Sequence, residues 1–199
     1  VTVTQSSGII EGNTTGISVS NGGANSSTKI IQTAGEIIGK NSNGIAVVNN
    51  ANSSNIEIIQ GANGKITGGG NIGIYAGNAG LGSTSVQTAG DVNCSYVGIW
   101  ATTNNTIGKD VTVTQISGTV VGDNIGIIAR NLGMGTVTVQ TAGNVIANSN
   151  TGYGVHAYNS TSAKDINVTQ SSGIIQGGAS GIRVSNKGTN ASTNVITTE

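Results

Sequence analysis

The sequence predicts an all-β protein, a right-handed parallel β-helix of about seven coils, each of roughly 27–28 residues and three short strands. Three observations predict it. A Gln followed by small residues and Gly recurs through the whole chain, at Gln5, Gln32, Gln60, Gln87, Gln115, Gln140 and Gln170, with spacings of 25 to 30 residues. Around each Gln, Val, Ile and Thr alternate with period two, as in Val1-Thr2-Val3-Thr4-Gln5, which is strand spacing and not helix spacing. The composition holds 33 Gly, no Pro, no Phe and only 8% charged residues. Regular Val and Ile at this frequency argue against a disordered chain.

Each coil repeats one grammar. The first strand ends at Gln. The second strand centres on a β-branched residue two places after the Gly: Ile10, Ile37, Ile66, Val92, Val120, Val145 and Ile175. The third strand begins at a second Gly and its apolar partner: Gly16-Ile17, Gly44-Ile45, Gly73-Ile74, Gly98-Ile99, Gly126-Ile127, Gly154-Val155 and Gly181-Ile182. Five residues after that Gly stands Asn21, Asn49, Asn78, Asn131, Asn159 or Asn186, with Thr103 the exception. Gly and Asn suit the turns, since both tolerate positive φ and Asn bonds nearby backbone. A sandwich also has short strands at fixed spacing, but it does not require the same residue type at the same place in every unit. Stacked coils do, because each residue sits on its equivalent roughly 4.8 Å away, and seven coils make a rod on the order of 35 Å long. The Gln and Asn columns are expected to form amide ladders along that axis.

The chain is expected to be a single β-helix over residues 1–199, truncated at both ends. Val1 starts inside a first strand, no leader pattern precedes it, and Asn194-Val195-Ile196 begins an eighth coil. A formal net charge of zero gives no electrostatic basis for nucleic-acid binding. No apolar run reaches the length of a membrane span. Cys94 stands alone, so neither an internal disulfide nor a cysteine-based metal site is expected, and no cofactor is implied.

The outward position of the third strand reads Ser18, Ala46, Tyr75, Trp100, Ile128, His156 and Arg183 up the stack. It gathers the only Trp and the only His, with Tyr158 two residues beyond His156 and Tyr96 and Tyr153 just before the strand. Clustered aromatics mark recognition surfaces, and the plain alternative is a cross-strand ladder that only stabilises the sheet. The candidate binding residues are Tyr75, Trp100, Ile128 and His156, with Arg130, Tyr158 and Arg183 at the rim. A flat Thr array for ice is broken, because Lys29/Ile31 and Glu57/Ile59 occupy the places of Thr2/Thr4. The β-helix enzymes that cut pectin need clustered carboxylates, and here the acids are dispersed. The chain is therefore read as a non-enzyme, with a carbohydrate-active enzyme as the remote alternative.

The Gln-x-x-Gly-x-Ile/Val, Gly-Ile-x-Val/Ala and Asn-turn units resemble the passenger domains of bacterial autotransporters, over the whole chain. The resemblance implies a passenger that crosses the outer membrane through its own C-terminal β-barrel and is then displayed or released as a secreted or cell-surface virulence factor or adhesin. The low-charge, Asn/Gly-rich style is similar to a released pro-angiogenic passenger type that engages a host growth-factor receptor. What it implies for this chain is binding of a host cell-surface protein or glycan. The alternative is an inert stalk that presents another domain.

Overall fold

The computed structural model describes residues 1–198. It is an all-β parallel solenoid. Coil 1 holds β1 (Thr2–Gln5), β2 (Ile9–Gly12) and β3 (Ile17–Asn21). Coils 2 and 3 run their first two strands together, as β4 (Thr28–Gly39) with β5 (Ile45–Asn49), and β6 (Ile56–Gly68) with β7 (Ile72–Asn78). Coil 4 holds β8 (Thr84–Thr88), β9 (Asp91–Cys94) and β10 (Val97–Thr103). Coil 5 holds β11 (Val111–Gln115), β12 (Thr119–Gly122) and β13 (Ile125–Asn131). Coil 6 holds β14 (Val137–Thr141), β15 (Asn144–Ala147) and β16 (Tyr153–Asn159), and coil 7 holds β17 (Ile166–Gln170), β18 (Ile175–Gln176) and β19 (Ser180–Asn186). The strand β20 (Thr193–Thr197) opens an eighth coil and pairs with β17.

The third strands form their own seven-stranded sheet, in the order β19-β16-β13-β10-β7-β5-β3. Inside the coils, Ile30, Ile58, Val86, Val113, Val139 and Val168 stack as one inner column, and Ile45, Ile74, Ile99, Ile127 and Val155 as another. The Gly before each third strand is a steric requirement. A Cβ on Gly73 would lie 2.6 Å from the carbonyl oxygen of Gly98, and one on Gly98 would lie 2.5 Å from that of Gly126. No side chain fits where backbone meets backbone at that distance.

The amide columns differ from expectation. Gln87 and Gln140 do not stand in the Gln column. Gln87 pairs in register with Ile59 and Thr114, and Gln140 with Thr114 and Thr169, so both face outward. Thr88 and Thr141, both buried, take the inner corner instead. The inner column therefore reads Gln5, Gln32, Gln60, Thr88, Gln115, Thr141 and Gln170, which follows the parity of Val86 and Val139.

The amides also do not form a continuous ladder. Gln32 Nε2 donates to Gln5 Oε1 at 3.0 Å. Otherwise each buried Gln ties its own turn to the next coil: Gln60 Nε2 donates to the carbonyls of Gly64 and Asp91, and Gln115 Nε2 to those of Gly118 and Asn144. The Asn column works in the same way at the other corner. Asn78 Nδ2 donates to the carbonyls of Ser54 and Ser83, while its Oδ1 accepts from Gly80 N. A turn inside a narrow solenoid leaves backbone carbonyls facing the core, and these amides satisfy them. Where Thr103 replaces Asn, its hydroxyl meets that of Thr84 at 3.3 Å.

Candidate binding face

The register of the third sheet stacks Ser18, Ala46, Tyr75, Trp100, Ile128, His156 and Arg183 in one outward column. A second outward column, two residues on, holds Thr102, Arg130, Tyr158 and Ser185. All seven sequence-derived candidates thus lie on one sheet face. They do not form one uniform patch, but divide into two halves.

The first half is apolar. Tyr75 and Trp100 meet edge to face, with ring centroids 5.9 Å apart and planes at 87°. The Tyr75 ring lies along its own strand over Gly77, where a Cβ would come within 2.5 Å of the phenol oxygen. Beneath Tyr75, Trp100 and Ile128 lies a separate buried cluster of Ile72, Val97 and Ile125, outside the main core. Sequence reasoning missed these three residues. They open β7, β10 and β13 just before the Gly, where three consecutive residues are buried and burial does not follow alternation. The recurrence of an apolar residue at that place, continued by Tyr153, was the available signal. The indole N–H of Trp100 is buried and has no protein acceptor, which is unusual for Trp.

The second half is cationic. The Tyr153 and His156 rings are 5.6 Å apart and tilted by 50°. The Arg183 guanidinium sits 4.8 Å from the centre of the Tyr153 ring and donates to its hydroxyl. Arg130 and Lys187 both flank Tyr158, at 5.8 Å and 5.5 Å from its centre. Such placements stabilise each cation by about 0.5–1 kcal/mol at exposed sites. Burial, and then the charge of Arg183, hold the His156 imidazole below its ordinary pKa, so it is neutral at pH 7. Tyr96 stands 47% exposed just before β10.

No protein-family model, no curated protein and no solved structure matches the chain. The face has to be judged by its own chemistry.

His156 has no hydrogen-bonded carboxylate, and its neighbours in the column are Ile128 and Arg183. Among the described residues no three His, Cys, Asp or Glu side chains come close enough to hold a metal ion. The carboxylates are engaged elsewhere: Glu11, Glu36 and Glu57 pair with Lys40, Lys65 and Lys29 at 2.5, 2.9 and 2.8 Å. Burial raises the Cys94 thiol above its ordinary pKa, which disfavours the reactive thiolate. No helix is long and apolar enough to cross a membrane.

Proposed function

We propose that the chain is an autotransporter-type passenger, secreted or displayed at the bacterial surface, whose third-sheet face binds a host cell-surface protein. The observation that carries this reading is the aromatic–aliphatic patch of Tyr75, Trp100 and Ile128, outward on a rigid sheet and bordered by Arg130, His156, Tyr158 and Arg183. Large amphipathic side chains fixed on a rigid element lose little entropy on binding and make good anchors. The buried indole donor of Trp100 adds to this. An acceptor supplied by a partner would relieve this unsatisfied group, which costs about 1–3 kcal/mol. Among receptor classes, the growth-factor receptor suggested by the resemblance is the one to test first. The whole autotransporter would also carry the C-terminal β-barrel that exports this segment.

A stalk role has one observation in its favour. Tyr75 and Trp100 cover Ile72, Val97 and Ile125, so packing alone accounts for their place.

Saturable binding of the labelled chain to endothelial and epithelial cells separates the two. Trp100→Ala and Tyr75→Ala, each checked for retained β-structure, are expected to lose binding, whereas Tyr96→Ala keeps it. Equal binding by all four proteins would leave the stalk reading standing.

A further inference from the structure

We infer that the C-terminal half of the third sheet and its loop edge form a second site, which takes a sulfated glycan chain. The inference does not depend on the protein partner proposed above, although it shares Arg130 and Arg183 with that face. Its basis is the distribution of charge. The protein has eight Lys and Arg and eight Asp and Glu. The three cations of coils 2 and 3, Lys29, Lys40 and Lys65, are each paired with a glutamate. The other five, Lys109, Arg130, Lys164, Arg183 and Lys187, make no salt bridge among the described residues. All five lie on the third sheet or on the loops that leave it, from coil 4 to coil 7.

Among the described residues two acids stand on that side, Asp110 and Asp165, next in sequence to Lys109 and Lys164. Asp110 accepts from Thr136 N at 2.8 Å and Asp165 from Ser192 N at 2.8 Å, each holding the next coil. The bond from Ser192 keeps the Asp165 carboxyl below its ordinary pKa. The cations without an acid beside them are thus Arg130, Arg183 and Lys187, which stand where the aromatics are. Two details argue for an anionic ligand. Arg130 and Lys187 converge on the single ring of Tyr158 with no carboxylate between them, an arrangement that costs repulsion unless an anion joins it. Lys109 and Lys164, two coils apart, line one shallow groove with Ile107, Asp110 and Met134, so its two cations outnumber its one acid. Lys109 and Lys164 stand at equivalent loop positions, two residues before the stacked Val111 and Ile166, so they lie roughly 10 Å apart along the axis, a spacing that suits a linear polymer with regularly spaced sulfates. The neighbouring tyrosines offer flat faces for sugar rings.

The test is binding of a fluorescent heparin oligosaccharide to the chain, read by polarisation over a range of salt. The double variant Arg130→Gln/Lys187→Gln is compared with Lys29→Gln/Lys65→Gln. Both lower the net charge by two, and none of the four positions is buried. The first double is expected to weaken binding about tenfold and to lower the salt slope by about two, and the second to change affinity by less than about twofold. Desulfated heparin is expected not to bind. Equal weakening by both doubles, no binding by the wild type at low salt, or equal affinity for a DNA duplex of the same length would each overturn the assignment. Trp100→Ala keeps heparin binding on this view, so loss of the protein partner and loss of the glycan are read separately.

Discussion

The two halves of the third sheet share one backbone, one register and one outward column, yet they are held in different ways. In the apolar half, Tyr75, Trp100 and Ile128 lie on Ile72, Val97 and Ile125, and burial holds them. In the cationic half, Tyr153 still packs on that cluster, but Tyr153 and Tyr158 are flanked by Arg183, Arg130 and Lys187 across the surface, and His156 stands between Ile128 and Arg183. The first arrangement is insensitive to salt and strong. The second is weak, screened and free to exchange its contacts for those of a ligand. An outward column therefore does not have one character along its length, because the side chains beside each residue differ from coil to coil.

The largest effect is expected from Ile125→Ala. It opens a cavity under Trp100 and Ile128 and should cost about 2–4 kcal/mol in urea unfolding; a loss below about 1 kcal/mol would mean that the outer cluster is not a true core. Next comes the corner staple. Gln60→Ala frees the carbonyls of Gly64 and Asp91 and should cost about 2 kcal/mol, whereas Gln87→Ala, at an outward position, should cost under about 0.5 kcal/mol. Equal costs would return Gln87 to the inner column. In the cationic half, Arg183→Gln removes a cation–ring contact and should cost only about 0.5–1 kcal/mol, a cost that salt reduces.

The smallest effect is that of pH on His156. Its folded pKa lies below the unfolded value of about 6.5, because burial and Arg183 disfavour the imidazolium. As pH falls below about 6.5 the unfolded chain takes up a proton that the folded chain does not, so stability is lost from there down to the folded pKa. Thermal melts from pH 7.5 to 5 should fall less for His156→Gln than for wild type. Parallel curves would show that the imidazole is not held neutral.

The repeat made most of the fold legible. Seven copies of Gly-Ile or Gly-Val, with Asn five residues after the Gly in six of them, name the coils, the turns and the third sheet. Reading the Gln by motif misled at two of seven places. In Val86-Gln87-Thr88 and Val139-Gln140-Thr141 the motif names Gln, but side-chain alternation from the inner Val names Thr. Parity decides, because a one-residue shift would turn every side chain of the strand over. The outward column of Tyr75, Trp100, Ile128 and His156 was also legible, since it needs only alternation counted from Ile74, Ile99, Ile127 and Val155.

The sequence by itself therefore determined the coil, its period and which residues share a column, because period two and stacking are local rules that repeat. Only the tertiary structure decided that Ile72, Val97 and Ile125 build a second core outside the first, since three consecutive residues are buried there and alternation does not sort them. Only it decided which cations are paired. Lys29 meets Glu57, and Arg130 and Lys187 meet around Tyr158, across coils that the chain reaches after 28 residues or more. Reach between coils depends on rotamers and turn lengths, and neither is written in the repeat.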